Sequence, residues 1–202
     1  MRNKRAAKKE DLRARLIDAA EAQIVEKGLS GLKAREVTEA AGCALGALYT
    51  AFDDIDQLIL QVNSRTLARM GVALQEATVG GGTGPGDRLA ALALGYVDFA
   101  LGNLMLWKTV FNHRLPEGVM IPDWHREEHE VLIREIVGPL AQLRPDLGPE
   151  MLVQRAKTLF AAVHGVVHLA LQGRFVGIAR AELKPEVLAL VALMVRGSRP
   201  ED

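Results

Sequence analysis

Two pairs of histidines stand four residues apart, His125 with His129 and His164 with His168. On a helix that spacing sets both imidazoles on one face, as a zinc site requires. Neither pair encloses the glutamate pattern of a zinc hydrolase. Arg126, Glu127 and Glu128 separate the first pair; Gly165, Val166 and Val167 separate the second. The first pair reads as surface histidines, the second as interior or interface histidines in an apolar setting. The single cysteine, Cys43, leaves no internal disulfide framework and suits a reducing cytosol. To serve as a redox sensor it would need a low pKa and access. There is no G-x-S-x-G, no G-x-x-x-x-G-K and no dinucleotide fingerprint, and the glycine run at 80–82 has neither a lysine nor a preceding strand. The expectation is no catalytic residue, no metal and no cofactor.

What remains is charge. The 202 residues carry 25 basic and 25 acidic side chains, a balance that argues against a uniformly basic nucleic-acid binder. The distribution is uneven, however. Arg2, Lys4, Arg5, Lys8 and Lys9 place five cations and no acid in the first nine residues, whereas residues 10–78 hold 7 basic against 11 acidic side chains. A basic tip therefore precedes a mildly acidic body. With 49% apolar and 25% charged residues, the composition is that of an ordinary globular chain. No apolar run approaches the ~18 residues of a membrane span, and the basic start lacks the apolar segment of a signal peptide. The expected setting is cytoplasmic, with no membrane.

The elements that must position these groups are helical. Leu12, Leu16, Ala19, Ala20 and Ile24 fall on one helical stripe, and Lys27–Gly28 supply a stop. Short helical patterns cover 35–41 and 45–52, separated by Gly42. Asp53 and Asp54 offer an N-cap to a longer helix opening with Ile55, Leu58, Ile59 and Val62. The stretch VGGGTGPG, 79–86, breaks the pattern and reads as a flexible joint. Helices then follow near 87–102, 103–113, 123–143, 150–174 and 184–195. The fold class is all-α: an N-terminal three-helix helix-turn-helix unit with its arm (1–54), a connecting helix (55–78), the joint (79–86) and a C-terminal helical bundle (87–202).

Two short helices joined at Ala41–Gly42–Cys43 form a helix-turn-helix in which the second, 45–51, enters the major groove. Val37, Ala41, Leu48 and Phe52 would lock the pair against the first helix. The residues go further than the spacing. Residues 16–59 resemble the TetR-like family of bacterial regulators through Ala19–Ala20, Lys27–Gly28, Val37, Ala41–Gly42, Gly46, Leu48–Tyr49, Phe52 and Leu58. The resemblance implies a homodimer with a DNA-binding head, a divergent ligand-binding body, and release of a palindromic operator when a small molecule binds. It also implies that Cys43, where the family usually has valine, is a small core-facing residue.

This chain departs from that family at several places. Lys33 and Ala44 stand where Thr or Ser usually caps the second and third helices, each lost cap costing about 0.5–2 kcal/mol. Ile55 replaces a phosphate-reaching lysine, Thr38 a small apolar residue, and Asp53, Asp54 and Asp56 make that edge acidic. Ala44, Leu45 and Ala47 offer only apolar contact to bases, such as a thymine methyl. Tyr49 resembles the family's phosphate-contacting tyrosine, and Thr50 can reach a phosphate or a base edge. Lys33 and Arg35 are the remaining cations of the helix-turn-helix, so affinity should lean on the arm, including Arg5, Lys8 and Lys9.

In the C-terminal part, residues 159–175 resemble the Trp-His-Gly segment of one TetR-like class at His164–Gly165 and Gly173–Arg174, with Phe160 in the aromatic region. Phe160, Val163, Val167 and Leu171 make one apolar stripe; Val187, Leu188, Val191 and Val195 make another. Both are expected at a dimer interface, the alternative being the monomer core. Tyr96, Trp107, Phe111, His113, His164 and His168 are the expected lining for a small apolar or aromatic ligand. A second reading is a helical small-molecule-binding dimer whose head has weakened or lost DNA binding.

Overall fold

A computed structural model of the chain describes residues 2–80, 82–173 and 177–197, with side chains described from Ala6 onward. Nine α-helices and no strand occur among these residues: α1 (Arg2–Lys27), α2 (Ala34–Ala40), α3 (Leu45–Ala51), α4 (Ile55–Ala77), α5 (Pro85–Gly102), α6 (Leu104–Asn112), α7 (Asp123–Leu143), α8 (Pro149–Gln172) and α9 (Leu183–Gly197). Among them, no single helix is long and apolar enough to cross a membrane.

The chain forms two compact units. The first comprises Met1–Ala68 and Asn103–Arg126. Its core is the α1 stripe (Leu16, Ile17, Ala20, Ile24), Val37 and Ala41 of the α2 segment, Leu48, Ala51 and Phe52 of the α3 segment, and Leu58, Val62 and Leu106. Val37, Ala41, Leu48 and Phe52 are all buried, as their spacing requires, and Cys43 packs against this cluster half-buried. The α2–α3 turn closes as a Schellman motif. Cys43 N–H donates to Thr38 C=O at 2.9 Å and Gly42 N–H to Glu39 C=O at 3.1 Å, with Gly42 at φ 65°. Only glycine takes that left-handed conformation without strain. Asp54 caps α4, its Oδ1 accepting Gln57 N–H at 2.7 Å.

The second unit comprises Arg69–Gly102 and Glu127–Asp202. Its core sits between α5, α8 and α9. Leu89, Leu92, Ala93, Tyr96, Val97, Phe99 and Ala100 of α5 meet Val163, Val167, Ala170 and Leu171 of α8 and Leu183, Val187 and Val191 of α9. Gly95 lets α5 run close to the end of α4, because a Cβ there would stand 2.7 Å from Ala77 Cβ. Leu140, Leu152 and Ala156 form a second, smaller cluster. The contacts divide the chain inside α4, whereas the sequence places a joint at 79–86. In the first unit α6 packs on α1.

Two expectations need correction. His125 is buried rather than on the surface, 4% exposed, with Nδ1 3.4 Å from Ser64 Oγ. The two stripes expected at a dimer interface are largely consumed inside the protomer. Val163, Val167, Leu171, Val187 and Val191 are buried, Phe160 and Val195 are half-buried, and only Leu188 is exposed. Apolar periodicity identifies the face that is covered but not what covers it, and here α5 does so.

Candidate nucleic-acid interface and ligand cavity

The exposed side of the helix-turn-helix is built by α3. Leu48 and Ala51 point into the core, so Ala44, Leu45, Gly46, Tyr49 and Thr50 are left outward and Ala47 half-buried. Tyr49 is 53% exposed and Leu45 37%. Nothing lies within 4 Å of a Cβ added at Gly46, so a partner could approach the backbone there closely. Thr50 donates its hydroxyl hydrogen to Gly46 C=O at 2.9 Å, which leaves the oxygen as an acceptor. The surface is small, apolar and neutral apart from Tyr49 and Thr50.

The flanking cations differ sharply in availability. Lys33 Nζ is held by Glu36 Oε1 at 2.9 Å, and Lys27 Nζ holds the other carboxylate oxygen at 2.8 Å. Those hydrogen bonds, more than any longer-range attraction, keep the Glu36 carboxyl below its ordinary range and raise the Lys27 ammonium. Arg35, exposed on the first turn of α2, has no side-chain partner among the described residues. A cation at a helix N-terminus opposes the helix dipole, so nothing local accounts for its position. Lys8 and Lys9 are likewise exposed without a partner among the described residues. They lie on the first turns of α1, so this part of the arm is helical. The side chains of Arg2, Lys4 and Arg5 lie outside the described residues.

Other cations of this unit are structural, which sequence reasoning missed. Arg13 donates to Ala51 C=O and stacks over Phe52, 4.3 Å from the ring centroid, while Arg15 donates to Ala41 C=O. Each places a positive charge on the carbonyl end of a short helix, α3 and α2 respectively. Arg65 pairs with Asp18. One end group of α2, the amide of its N-cap residue, is satisfied from α1. Gln23 Oε1 accepts Lys33 N–H at 2.7 Å, and its Nε2 donates to Glu36 Oε2 at 2.9 Å. A polar residue beside Ile24, on the apolar stripe, was the available signal. Ala44 caps α3 with no side-chain bond. Thr38 is buried but satisfied, donating to the carbonyls of Ala34 and Arg35, each at 3.0 Å.

The second unit contains a cavity of about 610 Å³, a figure that includes its open mouth. Leu74, Leu92, Leu132, Leu159 and Met194 are part of its aliphatic wall; Tyr96 and Phe160 meet edge to face with centroids 5.5 Å apart. Val163, Val191 and Val195, expected at a dimer interface, are part of this lining. Tyr96 Oη lies 2.7 Å from His164 Nδ1, and His164 packs on Phe160 and His168. Burial, reinforced by the nearby His168, pushes the His164 pKa down to about 4, so the imidazole is neutral at physiological pH. His168 continues the row to Gln172.

Of the six expected lining residues, Tyr96 lines the cavity, His164 bonds to it, and His168 follows. Trp107, Phe111 and His113 do not line it. They belong to the first unit, where Trp107 is fully buried against Phe111 and His113 Nε2 bonds Asp56 Oδ1 at 2.8 Å. Aromatic character alone does not report which core a helix joins. Arg174 and Phe175, part of the segment resemblance, lie outside the described residues. Among the described residues, no group of three or more His, Cys, Asp or Glu is arranged to hold a metal.

Two family models match the chain. Residues 16–62 match the bacterial regulatory proteins of the tetR family, and residues 89–196 match the tetracyclin repressor-like C-terminal domain. No curated protein matches. Among solved structures, a protein of unknown function from Rhodococcus sp. RHA1 is 27% identical over 92% of this chain and 94% of its own, with a TM-score of 0.72. A TetR transcriptional regulator from the same organism is 19% identical over 93% and 97%, with a TM-score of 0.64. RolR in complex with resorcinol is 20% identical over 97% and 98%, with a TM-score of 0.67. At these identities the last two show a shared fold.

Proposed function

Because the chain belongs to the TetR family of bacterial regulatory proteins, we propose that it is a homodimeric repressor that leaves a palindromic operator when a small apolar or aromatic molecule binds. The family is one of DNA-binding transcription regulators with a ligand-binding C-terminal domain. The observation that carries the finer reading is one chain holding both an outward α3, flanked by an Arg35 without a side-chain partner among the described residues, and an apolar cavity. Residues 1–54 act as arm and head, 55–78 as connecting helix, 79–86 as joint and 87–202 as the ligand-binding and dimerising part. Ala44, Leu45 and Ala47 contact base edges. Tyr49, Thr50, Arg35, Lys33 and the arm (Arg5, Lys8, Lys9) contact phosphates.

Two heads related by a twofold axis read half-sites about 34–36 Å apart. The surface available for the second copy is the apolar face the protomer leaves exposed. Ala161 and Leu169 mark it on α8; Leu188, Ala189, Ala192 and Leu193 mark it on α9. Ligand binding favours a body conformation whose heads no longer match the operator spacing, a population shift. The apolar lining of the cavity and the resorcinol bound by RolR support a small apolar or aromatic ligand. Selection of random duplexes by the purified protein, followed by affinity against salt, tests the reading. An enriched palindrome is expected, and non-specific binding alone would refute it. The alternative is a ligand-binding dimer with weak DNA contact. It is favoured by Lys33 being held by Glu36, by the uncapped α3 and by Ile55 at the start of α4.

A further inference from the structure

We propose that α3 reads its operator through the 5-methyl groups of pyrimidines, with Leu45 as the principal reader. The chain then distinguishes thymine from uracil, and 5-methylcytosine from cytosine. The inference rests on reading the chain as an operator-binding regulator whose α3 lies in the major groove. There, the N-terminal residues of a recognition helix meet the base edges. In this chain those residues are Ala44, Leu45, Gly46 and Ala47, the first three exposed and Ala47 half-buried. None of the four carries a side-chain nitrogen or oxygen.

Recognition by hydrogen bonds in the major groove needs particular side chains. Guanine is read by arginine or lysine, adenine by asparagine or glutamine, and the cytosine amino group by a carboxylate. Residues 44–52 contain none of these. Their two hydroxyls lie further along the helix, on Tyr49 and Thr50, and Thr50 already donates its hydrogen to Gly46 C=O at 2.9 Å. Lys33, at the start of α2, is held by Glu36 at 2.9 Å. What the first turn of α3 can sense is the apolar group of the major-groove edge, the pyrimidine methyl.

Leu45 is suited to that contact. The buried residues of α3 are Leu48 and Ala51, which join the core of the first unit, whereas Leu45 stays outside that core and exposed. Packing within the head therefore does not account for a leucine here, and covering it against another apolar group is favourable. Beside it, nothing lies within 4 Å of a Cβ added at Gly46, so a base edge meets no obstruction from the protein there. A side chain with neither donor nor acceptor does not separate the carbonyl of thymine from the amino group of cytosine. The methyl group is what it recognises, whichever pyrimidine carries it.

Duplexes selected by the purified full chain supply the operator for the test. Each thymine of the half-site, with its symmetry mate, is replaced in turn by deoxyuridine, and affinity is measured by fluorescence anisotropy. At one position or more, loss of the methyl should weaken binding about fourfold per half-site, the equivalent of about 0.8 kcal/mol. At the same position, a 5-methylcytosine–guanine pair should bind about fourfold more tightly than a cytosine–guanine pair. In Leu45→Ala both differences should fall below about twofold at that position, with the urea midpoint and the affinity for random duplex unchanged. Specific binding that no deoxyuridine weakens, or a methyl preference that persists in Leu45→Ala, overturns methyl readout by Leu45 and leaves the operator-binding reading standing. Absence of any sequence-specific binding overturns both.

Discussion

Replacing Gln23 with alanine removes the side chain that accepts the amide of Lys33, the N-cap residue of α2. Gln23 is 9% exposed and makes two hydrogen bonds, to Lys33 N–H at 2.7 Å and to Glu36 at 2.9 Å. A net hydrogen bond contributes about 0.5–1.5 kcal/mol, and a donor left in poor contact with water costs toward the upper end. The Lys33 amide is such a donor. The Glu36 carboxylate keeps both lysines, so its loss belongs at the lower end. Together the change should cost about 1.5–2.5 kcal/mol, or about 3–10 °C in Tm for a chain of this length. Urea and thermal unfolding at one fixed protein concentration measure it, since the proposed dimerisation would couple stability to concentration.

A second variant makes the mechanism specific. Lys33→Thr restores a hydroxyl cap and releases Glu36, the third residue of α2, to reach back to the amide of residue 33 as a capping box. Gln23 then becomes partly redundant. Gln23→Ala should cost at least about 0.5 kcal/mol less in the Lys33→Thr background than in the wild type, a non-additivity expected of groups sharing one partner. If Gln23→Ala costs under about 0.5 kcal/mol, or the same amount in both backgrounds, the Gln23 bond to the Lys33 amide does not hold the start of α2 and the reasoning fails.

Arg35→Ala should weaken DNA binding across sequences and lower the salt slope by about 1, whereas Glu36→Gln, by freeing Lys33, should raise it; titrations by fluorescence anisotropy at several salt concentrations measure both. Because Glu36 titrates below its ordinary value in the folded chain, its stabilising contribution is present above about pH 4.5 and disappears as the pH falls through the lowered value. Wild type and Glu36→Gln should therefore converge in urea midpoint at acid pH and separate at neutral pH. His164 behaves differently. With its pKa lowered from 6.5 to about 4, the unfolded chain binds a proton that the folded chain refuses between those values, so stability falls as the pH drops through that window. His164→Gln should flatten that part of the pH profile. Gly42→Ala, forced to φ 65°, should lose about 1–2 kcal/mol in the same unfolding assay. Leu193→Glu, on the 59%-exposed face of α9, should give monomers by analytical ultracentrifugation, a result Leu188→Glu should share.

Periodicity, caps and stops are interactions within one turn of helix, and they were legible without coordinates. The α1 stripe, the glycine at position 42, the Asp54 cap and the bounds of α7 at 123 and 143 all follow from neighbours within four residues. Basic residues were just as visible, but their use was not. Arg13 and Arg15 read as surface charge until α2 and α3 fold back and present their carbonyl ends. Lys33 looked available until Glu36, Lys27 and Gln23 were brought together, and Arg35 gained significance only once its neighbours were seen to be engaged. The same holds for the apolar face of α8 and α9. Its spacing shows that Val167 and Val187 are buried, but burial against α5 or against another protomer satisfies the same pattern equally well. Sequence determined the helices and the helix-turn-helix because those depend on local geometry. Tertiary structure decided which charges are engaged and which aromatics surround the cavity, because both depend on how separate helices pack together.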